Sequence, residues 1–159
     1  MQAVLEEVYA VAPLAGAYGL AIPVGWDREQ ADRSLGLRTF PLVAMASCAF
    51  VLVGHGLGED PGATAKVLEG IITGIGFLGA AAVVKRGIDV HGTATAAAIW
   101  ATAALGAACA LHEWGIAIAL SVICFATLRW LRPAKQAATA DAGTSPDRPV
   151  GQAPPDEVT

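Results

Sequence analysis

Five stretches of the chain are apolar almost without interruption. Residues 9–25, 39–57, 67–84, 93–111 and 115–131 contain Glu69, His55 and Arg129 as their only ionisable groups apart from tyrosines and cysteines. A bilayer core takes roughly 17–25 mostly apolar residues per helix. Each stretch is therefore long enough to cross once, and the polar intervals between them are short. The pattern predicts an all-α membrane protein, a bundle of about five transmembrane helices. These spans use up most of residues 1–132 and leave little chain for a soluble domain.

Composition strengthens this reading. Hydrophobic residues make up 55% of the 159 positions and charged residues 15%, against roughly 25% charged in a typical soluble protein. A soluble globule needs more charge than this to cover its surface. The net charge of −4 hides an alternating pattern. Basic residues fall after span one (Arg28, Arg33, Arg38), after span three (Lys85, Arg86) and at the C-terminal end (Arg129, Arg132, Lys135, Arg148). The intervals on the other side hold only Lys66. By the positive-inside rule the N-terminus faces outward and the C-terminus is cytoplasmic. An even number of spans would break the alternation, so charge supports five spans independently of hydropathy.

Local signals mark the ends of the spans. Asp60-Pro61 suits an N-cap followed by proline in the first helical turn. Gly87 after Lys85-Arg86 suits a stop. Trp114 and Trp130 bracket span five, and Trp26 ends span one, as interfacial anchors do. Pro13 and Pro23 should kink span one, and each frees a carbonyl that needs another partner. The acidic start at Glu6-Glu7 lacks the basic residues of a signal peptide, so span one is expected to remain in the mature protein. Residues 133–159 are rich in Ala, Pro, Thr, Asp and Gly. They hold too few large apolar side chains to offset ordering entropy, which predicts a disordered cytoplasmic tail.

Candidate chemistry is sparse. Asp27, Arg28, Glu29 and Arg38 gather where span one ends and span two begins. They suit either an ion-pair cluster fixing the first hairpin or a cytoplasmic docking or cation site. Arginine matches carboxylates bidentately, whereas Mg²⁺ would take one or two carboxylates and keep several waters. In span three, Gly70 and Gly74 form GxxxG, extended by Gly76 and Gly79. Small residues let helix backbones approach, and span four offers a similarly smooth surface around Thr95. Close packing of spans three and four is expected, through Gly70, Gly74 and Gly79 against Ala94, Ala97 or Ala101. Glu69 is the candidate intramembrane acid, either paired with Lys66 one turn earlier or set on an ion path. Cys48, Cys109 and Cys124 lie inside apolar runs without metal-ligand spacing and read as buried thiols. No Ser/His/Asp arrangement, GxSxG, HExxH or P-loop occurs, and no continuous basic face, so neither an enzyme nor a nucleic-acid partner is expected. The expected surroundings are the lipid bilayer and another membrane protein or a second copy.

The order of four short motifs resembles the membrane domain of the MgtC/SapB family. They are Gly25-Trp26-Asp27-Arg28-Glu29, Leu35-Gly36-Leu37-Arg38-Thr39, Gly74-Ile75-Gly76-Phe77-Leu78-Gly79-Ala80-Ala81, and Gly92-Thr93-Ala94-Thr95-Ala96-Ala97-Ala98-Ile99-Trp100. The last motif adds Trp100 to the candidate packing residues. Ala81, Ala94 and Ala98 depart from the usual pattern, as does Phe40 where His is common. The resemblance covers about 19–111 and implies a short member without the soluble C-terminal domain that many relatives carry. It implies a bacterial inner-membrane protein linked to low-Mg²⁺ growth and stress adaptation, and implies no cofactor beyond Mg²⁺ as a ligand or substrate. It leaves two classes open, a non-catalytic membrane regulator and an ion transporter.

Overall fold

The computed structural model describes residues 2–31, 36–56, 61–86 and 89–142. Five helices follow one another: α1 (Gln2–Ala31), α2 (Thr39–Gly56), α3 (Pro61–Ala82), α4 (Thr93–Ala110) and α5 (Trp114–Ala142). Four of them, α2 to α5, are long and apolar enough to cross a membrane. Between α3 and α4 the chain forms a small antiparallel hairpin, β1 (Val84–Arg86) with β2 (Asp89–His91), in the register Val84 to His91 and Arg86 to Asp89. The hairpin ends α3 at Ala82, earlier than the stop expected at Gly87, a residue outside the described ones. Asp60 also lies outside them, although α3 does begin at Pro61.

Residues up to Arg129 form one compact unit, and Trp130–Thr159 a second. In the first unit α4 is the central helix. Some 61% of its apolar stretch is buried, against 17% in each of α3 and α5. Its sequence explains the position. Ala, Thr and Gly make up most of α4 and it carries no charged residue, and a helix that is apolar all round belongs in the core, with Trp100 its large exposed side chain. The outer helices carry the large side chains, and Phe50, Phe77, Ile123 and Val122 are exposed on them. Exposed apolar side chains on membrane-length helices are lipid-facing surface.

Two buried clusters fill the unit. One joins Ala17 and Ala21 of α1, Ala44, Cys48 and Val51 of α2, Leu105 and Cys109 of α4 and Ala117 of α5. The other joins Val24, Phe40, Ala82, Ala98, Ile99 and Leu128. The second cluster gathers the C-terminal part of α1, the start of α2, the end of α3, the N-terminal part of α4 and the later turns of α5. Successive helices therefore run in opposite directions, and Arg28, Arg38, the hairpin and Arg129 share one end.

Several polar groups within the helices find partners. The helix α1 continues through both prolines. Pro23 leaves the carbonyl of Gly19 without its helical donor, and at the next residue Ser121 of α5 donates its Oγ hydrogen to the Leu20 carbonyl at 2.7 Å. Buried Thr102 donates to the Ala98 carbonyl at 2.8 Å. Hydroxyls satisfied in this way cost little in an apolar interior. At the end of α4, the Glu113 N–H donates to Ala108 and the His112 N–H to Cys109, with His112 at φ 59°. This is a Schellman closure. At its start, Gly92 has φ 87°, and a β-carbon there would overlap the Ala82 carbonyl.

The second unit is helical to Ala142, where composition predicts a tail from residue 133. Five alanines among residues 134–142 explain the continuation, since Ala has the highest helix propensity. The rest of the expected tail, residues 143–159, lies outside the described ones.

Candidate functional site

The shared end of α1 and α2 is built from two glycine-bearing segments that fit into one another. Gly25 of α1 lies against the start of α2: a β-carbon there would stand 3.3 Å from the Gly36 carbonyl oxygen and 3.4 Å from Cβ of Phe40. Gly36 in turn lies against Glu29, whose side chain a β-carbon at Gly36 would overlap. The Gly36 carbonyl accepts from the N–H groups of Thr39 and Phe40 at 2.9 and 3.2 Å and so starts α2. With the glycines in place, the Glu29 carboxylate reaches over to accept the Leu37 N–H at 3.0 Å. The acid of one motif thereby latches the backbone of the other.

Below this latch is a buried ion pair. Arg28 donates from Nη2 to Asp27 Oδ2 at 2.7 Å, with side chains 8% and 1% exposed. Among the described residues Arg28 Nε is buried without a hydrogen-bond partner. Fully buried Phe40 belongs to the same end of the bundle. The geometry thus divides the four predicted residues into two kinds. Asp27, Arg28 and Glu29 are engaged within the chain. Arg38 is exposed and makes no hydrogen bond or ion pair among the described residues. A direct Asp27–Arg38 pair is not formed, and Asp27 Oδ2 is engaged by adjacent Arg28. Among the described residues no group of three or more His, Cys, Asp or Glu is placed to hold a metal ion.

The glycines of span three are arranged differently from the expectation. At Gly70, Gly74 and Gly76 an added β-carbon would meet nothing within 4 Å, and at Gly79 it would stand 3.8 Å from Cβ of Ala96. Only the last of the four turns toward α4. Gly70 and Gly74 instead line a lateral groove of about 860 Å³ between α2 and α3, with Arg38 and Thr39 also in its lining. The tight helix contact lies elsewhere, between Gly106 of α4 and the Ala44 backbone of α2. Thr95 is buried on α4, while half-exposed Trp100 lines a smaller cavity of about 310 Å³ with Ile72 of α3 and Ile116 of α5. Glu69 is exposed on α3 and forms no ion pair with Lys66; its carbonyl accepts from Thr73 Oγ1 at 2.9 Å. Gly106 and Ser121 were not among the sequence candidates. A single glycine in an alanine-rich helix and a single serine in an apolar one carry no periodic signal.

Comparison with known proteins identifies the family. The family model described as MgtC family matches residues 14–137, so the match extends beyond the four motifs and takes in α5. Protein MgtC of Brucella abortus (strain 2308) is 38% identical over 128 residues, 80% of this chain and 53% of that protein. Protein MgtC of Salmonella typhimurium (strain LT2) is 34% identical over 123 residues, 77% of this chain and 52% of that protein. The chain thus spans about half the length of the curated relatives it matches. No solved structure matches it.

Proposed function

We propose, from the fact that the chain belongs to the MgtC family, that this multi-pass membrane protein works in the bacterial inner membrane in Mg²⁺ homeostasis or stress adaptation. Its role is that of a non-catalytic regulator that docks other membrane machinery at its cytoplasmic end. The observation that carries this reading is the state of the two acids in the cluster. A protein site for Mg²⁺ takes one or two carboxylates and several waters. Here the Asp27 carboxylate receives Arg28, and the Glu29 carboxylate receives a backbone N–H. The group left to the outside is a cation, Arg38, which suits an acidic partner surface better than Mg²⁺.

One observation favours the second reading, ion transport. Glu69 is an exposed acid within the apolar stretch Gly62–Ala82, and acids at such depths mark ion paths in many membrane proteins. Reconstitution of the full chain in liposomes with a Mg²⁺-sensitive dye separates the two. The regulator reading expects no flux above protein-free vesicles. It also expects Arg38→Glu to abolish rescue of growth at low Mg²⁺ while the protein still accumulates in the membrane. Mg²⁺ entry that Glu69→Gln removes would establish transport instead.

The regulator reading needs the cluster to face the cytoplasm, and with it five crossings, N-terminus out and C-terminus in. A fluorescent-protein fusion at the C-terminus should be bright and an alkaline phosphatase fusion at the same place inactive. The opposite pair of results would invert the topology and move Arg38 to the outer face.

A further inference from the structure

We infer that the groove between α2 and α3 is a binding site for one anionic phospholipid of the cytoplasmic leaflet, its acyl chain in the groove and its phosphate at Arg38. The inference rests on the regulatory reading for the cytoplasmic placement of Arg38 and names a lipid phosphate as an acidic group that meets it; its readout, the retained lipid, does not depend on that reading.

The shape of the groove is the first argument. It opens sideways between two membrane-length helices and is lined on α2 from Arg38 to Gly54 and on α3 from Val67 to Leu78. At 1.5 Å per residue the α2 side is about 24 Å long and the α3 side about 17 Å. Half of a hydrocarbon core of about 30 Å is about 15 Å. The groove is therefore long enough for an acyl chain of one leaflet. Gly70 and Gly74 form part of its floor and expose backbone where other residues would place side chains. Leu42, Phe50 and Leu78 line it further and are exposed.

Charge complementarity is the second argument, and it selects the headgroup. Arg38 is the one charged residue of the lining among the described residues, and it stands at one end. The first turn of α2 contains no acidic residue, and the nearby Glu29 carboxylate is held on the Leu37 N–H. An exposed guanidinium without a protein partner, at the mouth of an apolar slot, complements a phosphate attached to a hydrocarbon tail. A second copy of the chain fits less well. Two copies in one membrane would be related by an axis along the membrane normal. Packing through this groove would then set their Arg38 residues at the same depth near that axis, where like charges repel.

The test uses the full chain in nanodiscs of equal phosphatidylglycerol and phosphatidylcholine, released into native mass spectrometry. One retained lipid per chain is expected, with phosphatidylglycerol favoured about fivefold, the effect of one basic residue at an anionic surface. Arg38→Gln, a change on the exposed surface, should abolish the preference and leave a lipid of either kind bound. Gly74→Leu projects a side chain into the groove from a position where an added β-carbon meets nothing within 4 Å, and should remove the retained lipid while leaving the melting temperature unchanged. Equal retention of the two lipids by the parent protein and by Arg38→Gln would overturn the inference. So would a dimer mass that Gly74→Leu dissociates, since that result assigns the groove to a second copy. Growth at low Mg²⁺, on which the regulatory reading is tested, plays no part in the lipid measurement, so failure of this proposal and failure of the regulatory one are distinguishable.

Discussion

Gly106→Leu will prevent the protein from accumulating as a folded, monodisperse species in detergent, whereas Gly74→Leu will leave yield and melting temperature close to the parent values. Both positions are glycines on membrane-length helices, and the difference comes from what faces them. A β-carbon at Gly106 would overlap the carbonyl group of Ala44, and this neighbour is backbone rather than the end of a flexible side chain. To relieve the overlap, α4 must move away from α2, and Cys48, Val51, Leu105 and Cys109 lose their shared cluster. Overpacking a well-filled core typically costs about 1–3 kcal/mol and occasionally more. A collision with backbone at the central helix belongs at or above the top of that range, and even Gly106→Ala should lower the melting temperature. At Gly74 there is open space within 4 Å. Size-exclusion profiles and thermal unfolding of the three variants test this, and a Gly106→Leu protein that melts like the parent would refute the α2–α4 packing.

The second large effect concerns the buried ion pair. Asp27→Ala leaves the Arg28 guanidinium in a site only 8% exposed with its counterion gone. Removing one member of a buried pair costs about 3–5 kcal/mol, because the remaining charge is uncompensated, while replacing both by apolar side chains of similar volume is often neutral or stabilising by about 1–4 kcal/mol. Asp27→Ala is therefore expected to be strongly destabilised, and Asp27→Leu with Arg28→Met to recover most or all of the loss. Arg28 Nε already lacks a partner in the parent protein, so the double replacement also removes an unsatisfied buried donor. The cycle is read from thermal unfolding of the two single variants and the double variant. Equal melting of Asp27→Ala and parent would show that the pair is solvated rather than buried. If the double variant folds but no longer rescues growth at low Mg²⁺, the pair has a part in docking beyond holding α1 and α2 together.

Gly106, Gly74 and the Asp27–Arg28 pair mark the boundary between what is legible in the sequence and what is not. The membrane class was legible because it rests on a composition summed over long stretches, and four apolar helices of spanning length follow from it directly. The meeting of Asp27, Arg28, Glu29 and Arg38 near one end was legible because the link between α1 and α2 is short. Their pairing was not. Asp27 and Arg38 have suitable charges, but partner choice depends on which side chain the helix carries inward, and the buried partner proved to be Arg28, next to Asp27 in the chain. GxxxG in α3 marked a smooth surface without saying what it faces. Small residues permit close approach but do not cause it, and the face carrying Gly70 and Gly74 remains open in a groove. Gly106 gave no such sign, yet it sits directly against the Ala44 backbone of α2.

By itself, then, the sequence determined those properties that depend on the solvent around each helix. Long apolar runs must lie in hydrocarbon, and alternating basic intervals point to one side of the membrane. Tertiary structure decided which helix is central, which glycine is buried and which charge is left outside. The reason is physical. Transfer into the bilayer depends on the residues of one segment and can be read one helix at a time. Packing between helices has no hydrophobic contrast to direct it once lipid surrounds them, so it is settled by the mutual fit of several surfaces together: α4 enters the centre because Ala44 and Gly106 let it approach α2, and Arg38 faces outward while Arg28 engages Asp27.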